Sequence, residues 1–267
     1  MGNYKLYLGD SLKRIKEINS DSVSLTVTSP PYFNAKEYNG EDDNVGNNSS
    51  YQDYLNKIDD LLVEILRITK PGGIVVWNTS PVLDNGKRYG IPFHTNQLFE
   101  DLGFEFLEDI IWLKPDGAAK LRCGGWIQND GKPMTWHANI TTEYLMVFKK
   151  PGKRTISAEW DSIKSYYTKI PQDMMTNVWK INPETHKTYH DAPFPEELVK
   201  RCILLFTTKD ETVFEPFLGS GTTLKVAKDL NRNGIGIELD PGYMEIAKEN
   251  IGVTQTSLFE EHTYELS

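Results

Sequence analysis

The sequence has little cysteine, no long apolar run and no excess of positive charge. Its 267 residues include two cysteines, Cys123 and Cys202, too few for a disulfide framework or a cysteine-based zinc site. No stretch approaches the roughly 18 consecutive apolar residues that span a membrane. The first residues lack the apolar segment of a signal peptide, and Leu6 stands where N-myristoylation needs serine or threonine. These absences predict a cytoplasmic protein with reduced thiols and no membrane partner.

The charge is unevenly distributed along the chain. A net charge of −9 argues against a protein that coats nucleic acid by bulk positive charge. Lysine and arginine nevertheless outnumber aspartate and glutamate in 114–190, while the remainder is acidic. A basic middle in an acidic chain suits a protein that offers one face to a polyanion. Chance clustering on a solvated surface is the simpler alternative.

Apolar and helical patterns alternate along the chain. Strands are predicted at 3–8, 23–28, 73–78, 104–113, 143–149, 212–217 and 234–239. Helices are predicted at 50–69, 91–102, 195–206, 222–230 and 241–250, the first of them capped by Ser49 or Ser50 and stopped by "KPGG". This alternation predicts an α/β fold with a mostly parallel sheet covered on both faces. No clear helix separates the fourth and fifth strands, which favours an antiparallel pair there.

Two consecutive prolines end the second predicted strand, in the sequence "TSPPY". Proline donates no backbone hydrogen bond, so a central strand must stop there. Ser29 and the carbonyl of Pro30 are acceptors, and the rigid Pro30-Pro31 unit orients them without acid–base chemistry. Tyr32 either plugs the core or offers an aromatic face to a ligand. The long polar loop that follows, 33–50, is predicted to act as a lid.

A strand, a tight glycine turn and a helix follow one another in "VFEPFLGSGTTLKVAKDL" (213–230). Gly219 and Gly221 permit positive φ and close approach of a ligand, and the helix start offers N–H groups to an anion. Glu238 ends the next strand about 20 residues later, the spacing of the acid that binds ribose hydroxyls in dinucleotide sites. Because the lysine of a phosphate-binding loop is missing, a nucleoside with a carboxylate and no phosphate fits, such as S-adenosylmethionine. A glycine turn kept for packing alone is the alternative.

Together, "TSPPY" and "EPFLGSGTT" resemble the two motifs of the amino-group DNA methyltransferases. That family carries Asp, Asn or Ser before Pro-Pro-Tyr/Phe as its catalytic motif, and Phe-x-Gly-x-Gly as its cofactor motif. The catalytic motif comes first here, which resembles the β arrangement with its leading catalytic half. Other family landmarks occur in order: "LGDSL" (8–12), "KPGG" (70–73), "TTEYLMVFKK" (141–150) and "DAPFPEELVKRCI" (191–203).

The resemblance implies a three-layer Rossmann-like α/β fold of seven strands, with the last pair antiparallel. It also implies a division of the chain into a catalytic half, a target-recognition region around the core strand 143–149, a cofactor half and a tail. The corresponding ranges are 1–113, 114–190, 191–251 and 252–267. No metal is expected.

The same resemblance assigns the site residues. The implied catalytic residues are Ser29, Pro30, Pro31 and Tyr32, with the ring of Tyr32 stacked on a base rotated out of duplex DNA. The implied S-adenosylmethionine-binding residues are Asp10, Phe194, Pro195, Glu215, Pro216, Phe217, Gly219, Ser220, Gly221, Thr222, Thr223 and Glu238. A helix cap is the alternative role for Asp10, and a hydrophobic staple is the alternative for Phe194.

Serine at the first catalytic position resembles the cytosine-N4 enzymes, whereas aspartate is usual in adenine-N6 enzymes. Both accept a hydrogen bond, so pocket size matters as much, and adenine-N6 stays as the alternative. C5 methylation of cytosine needs a cysteine nucleophile, and neither cysteine lies in a Pro-Cys turn. More distant alternatives are related enzymes that methylate protein glutamine or RNA, and a non-catalytic DNA-binding or subunit role. The two intact motifs argue against the last of these.

The target-recognition region is expected to contact double-stranded DNA through basic residues. Arginine is the better reader of guanine because its fork binds two acceptors at once. The candidates are Lys120, Arg122, Lys132, Lys153, Arg154, Lys164 and Lys169. Trp126, Trp136 and Tyr166 either stack on bases or, more simply, pack this region. The resemblance also implies a prokaryotic or phage restriction-modification system, and it leaves open a cognate restriction endonuclease and a homodimer as partners.

Overall fold

The computed structural model is built around one central sheet. It describes residues 2–33, 45–46, 50–84, 86–115, 126–128, 135–138, 140–155, 170–184 and 194–252. Within these ranges the strands are β1 (Tyr4–Leu8), β2 (Val23–Thr28), β3 (Thr69–Thr79), β4 (Val82–Asp84), β5 (Lys87–Tyr89), β6 (Glu105–Leu113), β7 (Trp126–Gln128), β8 (Thr135–His137), β9 (Thr142–Lys149), β10 (Val178–Lys180), β11 (Thr212–Glu215) and β12 (Asn233–Glu238).

Eight of these strands form one mixed sheet in the order β1-β12-β11-β2-β3-β9-β6-β10. Every neighbouring pair in it is parallel except those made by β9, which runs antiparallel to both β3 and β6. The start of β9 therefore lies beside the carboxyl ends of β3 and β6. The remaining strands pair as two antiparallel hairpins, β4 with β5 and β7 with β8.

Helices cover both faces of the sheet. They are α1 (Ser11–Arg14), α2 (Tyr51–Ile68), α3 (Ile91–Asp101), α4 (Glu196–Phe206), α5 (Thr222–Asp229) and α6 (Pro241–Ile251), with short 3-10 turns at Ile15–Glu17 and Gln172–Met175. Alternate residues of β3 face opposite layers: Val75 and Trp77 pack in the core beneath α2 and α3, whereas Ile74 and Val76 pack in the core beneath α4 and α5. None of the helices in the described ranges is long and apolar enough to cross a membrane.

The neighbouring strands β2 and β11 mark the point where the chain changes direction across the sheet. From β2 the chain crosses through α2 to β3, and from β11 it crosses through α5 to β12, on the other side. Because α2 and α5 lie on opposite faces, the chain leaves the carboxyl ends of the two strands in opposite directions. Ligands of open α/β sheets bind at such a switch point.

The predicted three-layer α/β fold is confirmed, and so is the antiparallel pairing of the fourth and fifth predicted strands, which are β6 and β9. The last two strands of the chain, β11 and β12, are parallel, not antiparallel as the resemblance implied. Ser50 caps α2, since its hydroxyl accepts from the Asp53 amide at 3.1 Å. Two strand boundaries differ clearly from the prediction: β3 begins at Thr69 rather than at residue 73 and so includes all of "KPGG", and β11 ends at Glu215 rather than at residue 217. Between the pairs Val23–Thr69 and Leu25–Ile74 the register with β2 shifts, so Pro-Gly-Gly forms an irregularity inside the strand.

Strand β10, which makes the central sheet eight-stranded rather than seven-stranded, was not predicted. It lies within 114–190, the range assigned to target recognition, yet it pairs in parallel with β6 and buries Trp179 in the core. The indole of Trp112 donates to the carbonyl of Ile181 at 2.9 Å and reinforces this pairing. Strand β10 is therefore part of the central sheet, although it lies in the range predicted for target recognition; the boundary at 190 stays a prediction.

Candidate active site at the carboxyl edge of the sheet

The "TSPPY" turn lies at the carboxyl end of β2. All six residues of β2 are buried, as expected for a central strand covered on both faces. The next residue, Ser29, is half-buried, and Pro30 is buried. Pro30 and Pro31 have carbonyl acceptors and no N–H, so this turn is rich in acceptors and poor in donors.

Tyr32 is 8% exposed, and its hydroxyl reaches polar side chains. It donates to Oε2 of Glu143 at 3.1 Å and lies 3.5 Å from Oδ1 of Asn78. Glu143 is buried too, and its Oε1 accepts from Nζ of Lys114, which lies 4.7 Å from the centroid of the Trp112 ring. A buried ion pair therefore holds the polar end of Tyr32.

Phe33 anchors the far end of the turn in the core. Its ring is buried and packs edge-on against Tyr51 and Tyr89, with centroids 5.3 and 5.1 Å apart. The Tyr51 hydroxyl lies 2.7 Å from Nδ1 of His94. Each aromatic pair contributes about 0.5–1.5 kcal/mol beyond area burial. Phe33 thus plugs the core, whereas the neighbouring Tyr32 hydroxyl reaches the polar group of Asn78, Glu143 and Lys114.

The glycine turn lies at the carboxyl end of β11, the strand next to β2. The φ angle is +55° at Gly219 and +85° at Gly221, the left-handed region that glycine occupies without strain. A Cβ on Gly221 would lie 3.0 Å from Cα and Cβ of Ala247. Glycine at this position is therefore required both for the backbone angle and for close packing against α6.

Ser220 and two threonines complete this turn. The carbonyl of Ser220 accepts from Nδ2 of Asn250 at 2.8 Å, which attaches the turn to α6. Thr222 and Thr223 begin α5, and the first N–H groups of a helix have no acceptor within the helix. The turn thus combines open backbone donors with two residues that lack a side chain, which suits a carboxylate brought close to the backbone.

Glu238 ties the glycine turn to the end of β12. Its Oε2 accepts from the Gly219 amide at 2.6 Å, and its Oε1 accepts from the Asp240 amide at 2.9 Å. Burial raises the pKa of Glu238 above its usual value, and these N–H donors oppose the rise. Each carboxylate oxygen has two lone pairs, so Glu238 keeps acceptor capacity for hydroxyl groups such as those of a ribose.

Glu215 is a buried acid beneath the glycine turn. One of its oxygens accepts from the Phe217 amide at 3.2 Å, and the other accepts from the Thr223 hydroxyl at 3.1 Å. Burial raises the pKa of Glu215 from 4.5 to about 8. The Ser11 hydroxyl donates to the carbonyl of Pro216, which joins α1 to the same turn. The segment 215–217 therefore acts as the floor of the turn.

The other predicted cofactor residues lie at helix starts. Oδ1 of Asp10 accepts from the Leu12 amide at 3.0 Å and caps α1, which confirms the alternative role predicted for it. The preceding Gly9 donates to the carbonyl of Glu238 at 2.8 Å, so Asp10 also lies beside the end of β12. Pro195 is buried just before α4, and Phe194 packs against the core of that face. Their contact with a cofactor stays a prediction.

Arg154 lies away from these turns. It follows β9 and lies at the opposite ends of the strands from the two turns. There its Nε and one Nη donate to the two oxygens of Glu211 at 3.1 and 2.6 Å. The other Nη donates to the carbonyl of Phe206 at 2.7 Å. Because its fork already binds these acceptors, the prediction that Arg154 reads guanine is corrected to a structural role. Lys153 is exposed at the same ends of the strands.

The rest of the predicted DNA-contacting set lies outside the described residues: Lys120, Arg122, Lys132, Lys164 and Lys169, together with Tyr166 and the side chains of Trp126 and Trp136. Sequence reasoning missed Asn78, Lys114 and Glu143 as site residues. "TTEY" was noted as a landmark, but nothing in the sequence indicated that its glutamate, Glu143, contacts Tyr32, because 111 residues separate the two.

Comparison with known proteins agrees with this arrangement. Residues 23–249 match the model of the N6/N4 methyltransferase family, described as DNA methylase. The chain belongs to the DNA methylase family. The resemblance noted in its two motifs is thereby confirmed.

Two curated relatives are each 31% identical to the chain. The alignment with M.BslI of Bacillus sp. (strain NEB-606), a Type II beta methyltransferase, covers 93% of this chain and 27% of that protein, so the chain spans about a quarter of M.BslI. The alignment with the Type II methyltransferase M.MjaI of Methanocaldococcus jannaschii covers 95% and 92%. TTHA0409 of Thermus thermophilus, solved with S-adenosyl-L-methionine, superposes with a TM-score of 0.72 at 26% identity, covering 93% of each chain.

Proposed function

We propose that the protein is a site-specific DNA methyltransferase that transfers a methyl group from S-adenosylmethionine to the exocyclic N4 of a cytosine rotated out of duplex DNA. The observation that carries the proposal is the adjacency of the two turns. Ser29–Tyr32 and Gly219–Thr223 follow β2 and β11, and these two strands are direct neighbours in the sheet. Methyl donor and acceptor base would then meet in one crevice.

The residues of the glycine turn fit S-adenosylmethionine. Gly219 and Gly221 leave room beside the backbone, the start of α5 offers N–H groups to the carboxylate, and Glu238 offers acceptors to the ribose hydroxyls. TTHA0409, which binds this molecule, has the same fold. When bound, the cofactor supplies an electrophilic methyl group on a sulfonium sulfur.

The catalytic turn would hold and orient the target amino group. The amino lone pair is delocalised into the base ring, and hydrogen bonds from the amino protons to Ser29 Oγ and to the Pro30 carbonyl draw the nitrogen toward tetrahedral geometry. The nitrogen then forms a bond to the methyl carbon as the carbon–sulfur bond breaks, and the amino group afterwards loses one proton to solvent. Tyr32 stacks on the base, which is worth about 1–3 kcal/mol.

Cytosine N4 is favoured over adenine N6 because serine opens the motif, by resemblance to the cytosine-N4 enzymes. Adenine N6 on the same fold is the second candidate, since Ser29 accepts a hydrogen bond from either amino group. Attack on cytosine C5 is disfavoured by the described residues. Cys202 is buried in α4, and burial raises the pKa of its thiol to about 12, which removes it as a nucleophile.

The setting we propose is a bacterial or archaeal restriction-modification system in the cytoplasm, because the relatives are Type II methyltransferases. We assign target recognition to residues 115–141 and 155–169, whose basic residues would contact DNA; Lys114 and Arg154 are left out because Glu143 and Glu211 already bind them. A cognate endonuclease and a second copy of the chain are the candidate protein partners.

The test is methyl transfer by the purified protein, using radiolabelled S-adenosylmethionine with duplex DNA, RNA and denatured bacterial protein as separate acceptors. We expect label in duplex DNA, recovered as N4-methylcytosine after digestion to nucleosides. Label in RNA or protein alone would overturn the substrate. Label recovered in N6-methyladenine would favour the second candidate.

A further inference from the structure

Four residues from four separate segments meet beside the catalytic turn. Tyr32 follows β2, Asn78 lies near the end of β3, Glu143 lies at the start of β9, and Lys114 follows β6. The antiparallel course of β9 causes this meeting, because it pairs Glu143 with Trp112 at the carboxyl end of β6 and Tyr144 with Thr79 at the carboxyl end of β3. A parallel strand in this place would put its first residues at the opposite edge.

Donor and acceptor are defined for each hydrogen bond in this group. Glu143 accepts from Lys114 with one carboxylate oxygen and from the Tyr32 hydroxyl with the other. Asn78 donates through Nδ2 to the carbonyl of Tyr144 at 3.1 Å and directs Oδ1 toward the same hydroxyl. The side chains of Lys114 and Glu143 are only 14% and 7% exposed, so the pair is little screened by solvent.

We infer that Glu143, held by Lys114, is a positioning residue that fixes the ring of Tyr32 in the orientation needed for methyl transfer. The inference rests on the proposed function and deepens it. Rotation about the Cα–Cβ bond would swing the Tyr32 ring away unless its hydroxyl were held, and Phe33 anchors only the backbone beyond it. A carboxylate neutralised by a buried lysine is a stronger acceptor than a neutral group and keeps one geometry.

The kinetic test combines Glu143→Gln with Tyr32→Phe. Glutamine carries no charge and has one oxygen where Glu143 meets Lys114 and Tyr32 with two separate oxygens, while phenylalanine keeps the ring and loses the hydroxyl. We expect Glu143→Gln to lower kcat about tenfold or more, with the KM for DNA and the Kd for S-adenosylmethionine changed less than about twofold. In the Tyr32→Phe background the same substitution should cost little further kcat, because the hydroxyl that it acts through is gone.

The chain offers a matched control. Glu105 forms an ion pair with Lys149 across the same two strands, β6 and β9, at the ends of these strands that lie away from Glu143. Glu105→Gln should leave kcat unchanged. Equal kcat losses from Glu143→Gln in the wild-type and Tyr32→Phe backgrounds would overturn the inference, because they would indicate a general structural effect.

A second readout does not depend on methyl transfer. In protein labelled with 3-fluorotyrosine, the fluorine resonance of Tyr32 is the one lost in Tyr32→Phe. We expect Glu143→Gln to shift this resonance and Glu105→Gln to leave it in place. An unmoved Tyr32 resonance in Glu143→Gln would overturn the inference. If the intact protein transferred no methyl group, the proposed function would fail, and this spectrum alone would decide whether Glu143 holds Tyr32.

Discussion

The amide nitrogen of Gly219 lies 2.6 Å from Oε2 of Glu238, although 19 residues separate them in the chain. This bond joins the glycine turn after β11 to the end of β12, and the Glu238 carboxylate also accepts from the Asp240 amide. The site for the donor is thus organised by one carboxylate that spans two neighbouring strands. We expect its removal to alter the shape of the turn and, under the proposed function, to remove acceptors for the ribose hydroxyls.

We expect Glu238→Ala to weaken binding of S-adenosylmethionine by about tenfold to about a hundredfold, the effect of losing hydrogen bonds to a charged acceptor. Isothermal titration calorimetry measures this loss. Asp240→Asn is the matched control: it removes a negative charge two residues away and keeps an oxygen that can cap α6. Its affinity should equal that of the wild type, and equal losses in both variants would indicate only a general charge effect.

Gly221→Ala should abolish cofactor binding and destabilise the fold. Alanine would combine the strain of φ +85° with a Cβ placed 3.0 Å from Ala247. Gly103→Ala separates these two effects, because Gly103 has φ +90° with nothing within 4 Å of its added Cβ. We expect Gly103→Ala to cost about 1 kcal/mol of unfolding free energy with normal cofactor binding, and Gly221→Ala to cost more. Equal costs in urea unfolding would contradict the packing argument.

The pKa of Glu215 makes stability depend on pH. Because burial raises this pKa from 4.5 to about 8, the folded state binds the proton more tightly than the unfolded chain does. The free energy of unfolding therefore receives a favourable contribution at low pH, which is lost as pH rises through about 8. We expect Glu215→Gln to be increasingly stabilised relative to wild type between about pH 5 and about pH 9, as measured by urea unfolding.

Glu211 provides a control of opposite sign. Burial tends to raise its pKa, but the hydrogen bonds and charge of Arg154, together with hydrogen bonds from Thr208, outweigh burial and lower it. Its contribution to stability is therefore present at neutral pH and is lost as pH falls through the lowered pKa. Glu211→Gln should destabilise the protein most at neutral pH and least in acid. A pH trend shared by Glu211→Gln and Glu215→Gln would contradict both assignments.

Arg154→Ala should reduce stability without changing DNA affinity. Its guanidinium joins Glu211 to the carbonyl of Phe206, and its removal leaves a largely buried carboxylate without its cation, at a cost of about 2 kcal/mol. Thermal unfolding would detect the loss, and DNA binding measured below the melting temperature should equal that of the wild type. Weaker DNA binding at unchanged stability would restore Arg154 to the recognition set.

Local patterns were sufficient to predict most of the fold and the two turns. The consecutive prolines end β2, and the glycines with the following threonines form the turn after β11, because both features act through backbone geometry that is encoded within a few residues. Ser50 as a helix cap follows from the same local chemistry. These signals need no knowledge of what lies elsewhere in the chain.

Contacts between distant segments could not be predicted. Strand β10 is only three residues long and looks like loop in sequence, and it becomes a strand because β6 offers it an open edge. Arg154 was predicted to contact DNA, because its partner Glu211 lies 57 residues away in the chain and is brought beside it only by the fold. The Glu143 carboxylate meets Tyr32 only because β9 runs antiparallel. In each case the deciding partner is set by topology.

The most direct test of the central claim is mass spectrometry of nucleosides from the DNA of a methylation-free host that expresses this chain. The control is the doubly substituted Ser29→Ala/Tyr32→Ala protein. The account predicts N4-methylcytosine with the intact chain and none with the control. N6-methyladenine in its place would contradict the base assigned from Ser29, and a modified base that persists in the control would contradict the role of the catalytic turn itself.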